Sequence, residues 1–108
     1  MSFNVKTISV FERQAKRLMK KFPSLKKEIQ TLISELKEKP EKGTSIGHNC
    51  YKIRLAITSK GKGKSGGARV ITHLVFKDGT VYLLSIYDKS DIENLTDKEV
   101  LELIKHIP

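Results

Sequence analysis

The chain has 108 residues, enough for one small domain, and its 38% hydrophobic and 31% charged residues indicate a folded rather than a disordered chain. A formal net charge of +9 favours polyanionic partners, such as nucleic acid or an acidic protein segment. The single cysteine, Cys50, excludes an intrachain disulfide, and no apolar run is long enough to span a membrane. We therefore expect one cytoplasmic domain, residues 1–108, with no metal, no other cofactor and no membrane partner.

The spacing of apolar residues predicts an α+β domain. Residues 3–10 are typical of an edge strand, and helical spacing then predicts two helices that are separated by Pro23. From Tyr51 onward the period is two, which predicts a strand with one apolar and one basic face. Two more strands flank a turn at Asp78–Gly79, and a capping box at residues 96–99 begins a last helix. The predicted order is β-α-α-β-β-β-α, with the helical hairpin packed on a mostly antiparallel sheet.

Basic residues are concentrated in the middle of the chain. Between Glu41 and Asp78 there are eight basic residues and no acid. Lys52 and Arg54 lie on one face of their strand, with Cα atoms roughly 7 Å apart, a spacing that suits one or two phosphates. Arg69 opens the next strand, where a guanidinium can bind a phosphate through two hydrogen bonds. These residues predict a sheet surface that binds nucleic acid.

Each of these residues also has a structural interpretation. The face of Lys52 and Arg54 is equally typical of a solvated surface. If Asp78–Gly79 is the whole turn, Arg69 lies opposite Asp88 and forms an ion pair with it. Tyr87, at the end of the last strand, either packs in a half-buried position or stacks on a base and assists proton transfer.

A glycine-rich loop at residues 60–67 carries three lysines between the predicted strands. Its spacing differs from that of a nucleotide-binding P-loop, and it does not join a strand to a helix. The loop is either a solubilising connection or a flexible arm that binds RNA phosphates. The residues alone thus indicate a small basic domain whose sheet binds nucleic acid.

Three strings lie in order on the predicted elements: CYKIRL at 50–55, GKSGGARVI at 63–71 and LLSIYDK at 83–89. With the element order, they resemble the RelE/ParE superfamily of bacterial type II toxins, and the last two resemble its HigB-like branch. The resemblance covers essentially the whole chain. It implies a RelE-like fold and a metal-independent endonuclease that cleaves mRNA in the ribosomal A site. The implied partners are a cognate antitoxin, the ribosome with its rRNA, and mRNA, with operator DNA bound only through the antitoxin complex.

The resemblance also implies a set of site residues. RelE-type toxins have a catalytic tyrosine a few residues after the last basic site residue, but residues 90–95 contain none. Tyr87 is the nearest candidate, although nominal strand pairing places it opposite Val70. The implied catalytic residues are Lys52, Arg54, Arg69, Tyr87 and Lys89. The implied contacts with RNA and the ribosome are Lys16, Lys20, Lys60, Lys62 and Lys64.

In the implied reaction, the 2′-hydroxyl upstream of the scissile bond attacks the phosphorus. Arg69 and Arg54 stabilise the charge on the phosphate oxygens, and Lys52 or Lys89 acts as general base. The alternatives are a ParE-like inhibitor of DNA gyrase, a non-catalytic RNA-binding module, and an inactive relative that binds only its antitoxin and DNA.

Overall fold

The computed structural model describes residues 2–61, 63, 66–92 and 94–108. These residues form an α+β domain with three helices and a five-stranded sheet, which confirms the predicted fold class. The bounds are β1 Asn4–Thr7, α1 Ser9–Lys21, α2 Leu25–Glu38, β2 Thr44–Gly47, β3 Cys50–Leu55, β4 Ala68–Val75, β5 Thr80–Asp88 and α3 Asp97–Ile104. The predicted order has one strand fewer between α2 and the loop at residues 60–67, so the short edge strand β2 was missed.

The strands are arranged in the order β1-β5-β4-β3-β2, so β1 and β2 lie at the two edges of the sheet. The pairing of β1 with β5 is parallel, and the other three pairings are antiparallel. All nine residues of β5 are buried, because this strand lies inside the sheet and α1 packs against it. The core joins apolar residues of α1 and α2 at helical spacing to β3, β4 and β5.

The two helices are separated as predicted, since Pro23 stands between α1 and α2. Ser24 occupies the N-cap position of α2, but its side chain makes no capping hydrogen bond. Its hydroxyl instead donates to Glu28 Oε1 (3.0 Å) and accepts from the backbone N–H of Ser59 (2.9 Å). Ser24 therefore connects the start of α2 to the turn that follows β3.

The connection between β4 and β5 differs from the predicted two-residue turn. Val75 pairs with Thr80, so the turn has four residues, 76–79, and it ends at Gly79 in the left-handed region (φ 60°). A bulge follows farther along the ladder, because Thr72 pairs with Leu83 whereas Ile71 pairs with Ser85. β5 therefore has one extra residue in this ladder. This residue shifts the pairing of β4 residues 68–71 with β5 by one position.

The last helix begins with the predicted capping box. Thr96 Oγ1 accepts from the backbone N–H of Glu99 (3.1 Å), and the Glu99 carboxylate accepts from the N–H of Thr96 (2.9 Å). Val100 is buried where α3 packs against β5. None of the helices in the described ranges has the length and apolar character that a membrane span requires.

Candidate functional site

Three predicted site residues form a row across adjacent strands. Arg54 on β3 pairs with Arg69 on β4, and Arg69 pairs with Tyr87 on β5. Directly opposed residues of antiparallel strands project from the same face of the sheet, and neighbouring strands lie about 4.8 Å apart. Lys52 precedes Arg54 by two residues and shares that face. We call Arg54, Arg69 and Tyr87 the cross-strand row; it spans about 10 Å.

This row depends on the turn and the bulge together. A two-residue turn would place Arg69 opposite Asp88, as the sequence predicted, and that pairing is wrong. The four-residue turn alone would place Arg69 opposite Ile86. The bulge adds one residue to β5, so Arg69 faces Tyr87.

The members of the row differ in exposure. Arg54 is exposed, whereas Arg69 and Tyr87 are 3% and 4% exposed. Nη1 of Arg69 donates to the carbonyl oxygen of Ala68 (3.0 Å). The buried hydroxyl of Tyr87 has no hydrogen-bond partner in the described part of the chain. One end of the row is therefore open to solvent, and the other end is covered.

The surroundings of Tyr87 keep its phenol protonated. Burial raises the pKa of Tyr87, Arg69 opposes this increase through its positive charge, and the Glu99 carboxylate on α3 adds to it. A phenol held in its neutral form is suited to donate a proton or a hydrogen bond. It is poorly suited to accept a proton near neutral pH.

The other two predicted catalytic residues lie beside the row. Lys52 is half-buried, and its Nζ donates to Asn94 Oδ1 (2.8 Å) just before α3. Lys89 follows β5 with an exposed side chain, and its backbone N–H donates to the carbonyl of Gly67 (3.0 Å). A Cβ atom at Gly67 would overlap the carbonyl oxygen of Leu55, so glycine is needed for the close approach of backbone at this end of the sheet.

Lys60, predicted to contact RNA, forms a buried ion pair instead of projecting into solvent. Its Nζ lies 2.5 Å from Asp88 Oδ1 and 3.3 Å from Ser90 Oγ, and 5.8 Å from the centre of the Phe22 ring. The two paired side chains are only 15% and 1% exposed. Burial alone would raise the pKa of Asp88, but the hydrogen bonds from Lys60 and Ser90 and the charge of Lys60 hold it below its ordinary value.

The remaining predicted RNA contacts fall into two groups. Lys16 and Lys20 are exposed on α1, where a rigid helix presents their charges to solvent. Lys62 and Lys64 lie outside the described residues. Among the residues that the structure does describe, no group of three histidine, cysteine or acidic side chains is arranged to hold a metal ion.

Sequence reasoning missed the contacts that α3 and the segment before it make with this face. Asn94 accepts from Lys52, and the Asp97 carboxylate lies 3.0 Å from His48 Nε2 in the β2–β3 turn. The capping box predicted where the helix begins, but no local signal predicts where it docks. The segment from Asn94 to Glu99 therefore belongs to the site.

A cluster around Cys50 lies on the same strand as Lys52. The thiol is fully buried, its Sγ donates to the carbonyl of His48 (3.5 Å), and it lies 3.4 Å from Nδ1 of His73. Burial raises the pKa of Cys50 from 9.0 to about 11, and the negative charge of Asp97 adds to this shift. These features describe a packed structural thiol rather than a nucleophile.

The state of Cys50 can be tested by alkylation. We expect iodoacetamide at pH 8 to modify the native protein at least about 10-fold more slowly than the urea-unfolded protein, because the reactive form is the thiolate. Since the folded pKa is raised, the protonated thiol stabilises the fold fully below about pH 9, and this contribution is lost as the pH rises towards 11. Mass spectrometry measures the extent at this single cysteine; equal rates in the two states would contradict the buried position.

The three helices and the five-stranded sheet define a small α+β domain of the RelE type. The chain belongs to the RelE toxin family, because residues 6–107 match the model for the RelE toxin of the RelE/RelB toxin–antitoxin system. It is thus the toxin of a toxin–antitoxin system.

Two solved structures share this fold. A double mutant of the E. coli toxin RelE in the free state has a TM-score of 0.64 and 20% identity, and the match covers 100% of both chains. The crystal structure of the isolated E. coli RelE toxin in a P21 form has a TM-score of 0.57 and 20% identity, over 99% of this chain and 100% of the other.

Proposed function

We propose that this toxin is a ribosome-dependent endonuclease that cleaves mRNA in the A site and so inhibits translation in the cytoplasm. The observation that carries the proposal is the cross-strand row, in which two arginines and a tyrosine share one face of the sheet with Lys52 beside them. Cations at that spacing match a phosphodiester and its neighbour. Membership of the RelE family supports the same activity.

The reaction follows from the charge that develops on the phosphate. The 2′-hydroxyl attacks the adjacent phosphorus, the bond to the 5′-oxygen breaks, and a 2′,3′-cyclic phosphate forms. Arg54 and Arg69 stabilise the negative charge on the non-bridging oxygens. Lys52 or Lys89 accepts the proton of the 2′-hydroxyl, and the protonated phenol of Tyr87 donates to the leaving 5′-oxygen.

The burial of Arg69 and Tyr87 accounts for a dependence on the ribosome. Arg69 and Tyr87 are buried, and Asn94 is bound to Lys52 beside them, so we propose that the segment beginning at Asn94 moves away from the sheet before substrate binds. The ribosome then supplies two things, an open form of the toxin and an aligned mRNA, and alignment alone lowers a barrier by several kcal/mol. Exposed lysines such as Lys16 and Lys20 bind rRNA.

The proposed protein partner is an antitoxin with an acidic or amphipathic segment. The toxin has a net charge of +9, and charge complementarity favours a negative partner that covers the basic face. The same segment could instead take the place of α3, whose short apolar side contributes a single buried residue, Val100. Binding of operator DNA would then occur only through the antitoxin.

Primer extension on a defined mRNA tests the function. The purified toxin is incubated with the mRNA with and without translating ribosomes. Cuts within A-site codons only in the presence of ribosomes support the proposal, and cuts on free RNA would show a ribosome-independent nuclease. Well-folded protein that cuts in neither condition would contradict it, and a DNA supercoiling assay with gyrase then tests the ParE-like alternative.

Replacing Tyr87 by phenylalanine separates chemistry from packing. We expect cleavage to fall about 10- to 100-fold, because the proposed proton donor is removed. Stability should stay the same or increase, since the lost hydroxyl is buried and makes no hydrogen bond within the described chain. Cleavage rates on programmed ribosomes and urea unfolding measure the two effects; unchanged cleavage would exclude Tyr87 as the donor.

A further inference from the structure

A cavity of about 520 Å³ lies between α2 and the end of β3, and Arg54 of the cross-strand row contributes to its lining. Its volume is within the range of about 300–1,000 Å³ that is typical of small-molecule sites. Leu55 provides apolar surface, Thr31 lies on the helical wall, and Arg54 lies on the strand wall. The reaction proposed above uses only Arg54 of these residues, so the cavity has no role in it.

Arg54 is the residue that the cavity shares with the cross-strand row. This arginine both lines the cavity and pairs with Arg69 in the sheet. Neither Arg54 nor Lys27, also on the wall, makes a hydrogen bond or ion pair within the described chain. A nucleotide whose phosphate binds Arg54 would thus lie within reach of the cavity, and Lys27 provides a second cation on the cavity wall.

The two carboxylates of the cavity differ in what they can still bind. Glu28 accepts two hydrogen bonds from Thr58, at 2.8 and 2.7 Å, and one from Ser24 at 3.0 Å. Glu35 is half exposed, and its one partner among the described residues, Lys42, lies 3.6 Å away, beyond hydrogen-bond length. Glu28 thus holds the walls together, whereas Glu35 keeps its capacity to accept from a ligand.

We propose that this cavity binds the base of the mRNA nucleotide next to the scissile phosphate and selects bases that carry an exocyclic amino group. Glu35 accepts from the amino group, Leu55 packs against the base, and Arg54 and Lys27 bind the flanking phosphates. Uracil has no amino group and is disfavoured. This inference rests on the proposed function, because a cavity that selects bases can determine codon preference only if the toxin cleaves mRNA.

An NMR titration tests the binding without cleavage. The probes are hexanucleotides of cytidine, adenosine or uridine with 2′-O-methyl ribose, which lack the attacking hydroxyl. We expect cytidine and adenosine probes to shift the amide signals of Thr31, Ala56 and Thr58, with at least about 5-fold weaker binding of the uridine probe. In Glu35→Gln that preference should disappear, because an amide can both donate and accept.

A tryptophan placed in the cavity provides a blocked form of the toxin. Thr31 is exposed on α2, so Thr31→Trp fills the cavity from a surface position. The matched control is Ser34→Trp, which is also exposed on α2 but does not line the cavity. We expect Thr31→Trp to abolish the shifts at Ala56 and Thr58 and to change the distribution of cuts among A-site codons, and Ser34→Trp to do neither.

The outcomes separate this inference from the proposed function. If the wild type cuts A-site codons and Thr31→Trp cuts the same codons equally, the cavity inference is wrong and the endonuclease stands. If the probes bind in the cavity but no mRNA is cut, the base-binding cavity is supported and the endonuclease is contradicted. Shifts that are absent from the cavity, or equal for all three probes, overturn the inference and leave a protein segment as the occupant to test.

Discussion

Replacing Arg69 by alanine is expected to reduce cleavage of ribosome-bound mRNA by at least about 100-fold. Arg69 occupies the centre of the cross-strand row, between Arg54 and Tyr87. Removal of one preorganised donor from an oxyanion site costs about 10²–10³ in rate, and a guanidinium donates two hydrogen bonds. Single-turnover primer extension on programmed ribosomes measures the loss.

Because Arg69 is 3% exposed, folding must be separated from chemistry. Arg69→Lys keeps the charge but loses the planar fork, and we expect it to remain folded with an intermediate loss of cleavage. Lys77→Ala, in the exposed turn at the other end of β4, is the matched control and should cut like the wild type. A folded Arg69→Ala that is still toxic without cutting any mRNA would refute the endonuclease.

Replacing Lys60 by methionine is expected to destabilise the fold by about 3–5 kcal/mol. The change keeps most of the apolar stem but leaves Asp88, which is 1% exposed, as an uncompensated buried charge. Urea denaturation measures the free energy of unfolding. The matched control is Lys105→Met, whose partner Glu102 lies in an ion pair that is mostly exposed, so a change below about 0.5 kcal/mol is expected.

The effect of Lys60 depends on pH in a defined direction. The folded pKa of Asp88 is lowered, so its contribution to stability is present above the unfolded value of about 3.9 and is lost as the pH falls through the folded pKa. In Lys60→Met, burial is no longer offset by Lys60 and raises the pKa of Asp88, so the orphaned carboxylate becomes protonated, and the penalty shrinks, as the pH is lowered from 7. Adding Asp88→Asn to Lys60→Met should recover part of the lost stability at pH 7. If Lys60→Met and Lys105→Met have equally small effects, the buried ion pair does not stabilise the fold.

This ion pair also stabilises the end of the sheet at which β3 and β5 finish. Lys60 follows β3 and Asp88 ends β5, so the pair connects the two strands that flank β4. Tyr87 immediately precedes Asp88, and loosening the pair would shift the phenol relative to Arg69. Lys60 is therefore held at this end of the sheet, and its contact with RNA stays a prediction.

Elements that depend on neighbouring residues were predictable from the amino-acid sequence. The break at Pro23, the alternation that began at Tyr51 and the capping box of Thr96 and Glu99 each involve groups within a few residues of one another. Such signals reflect backbone preferences and local hydrogen bonds, which act before any tertiary contact forms. They suffice for the fold class and for placing Lys52 and Arg54 on one face.

Strand register and docking depended on contacts that are distant in sequence. A four-residue turn and one bulged residue on β5 together decide that Arg69 faces Tyr87 rather than Asp88. Each single-residue shift reverses which face a side chain occupies, and the best register is set by the burial of whole strands in a shared core. The ion pair of Lys60 and Asp88 likewise joins residues that are 28 positions apart in the sequence. A buried carboxylate requires a cation as a partner, and only the folded sheet brings the two side chains together. The sequence thus specified which residues are candidates for the site, and the packing of the core decided which of them lie side by side.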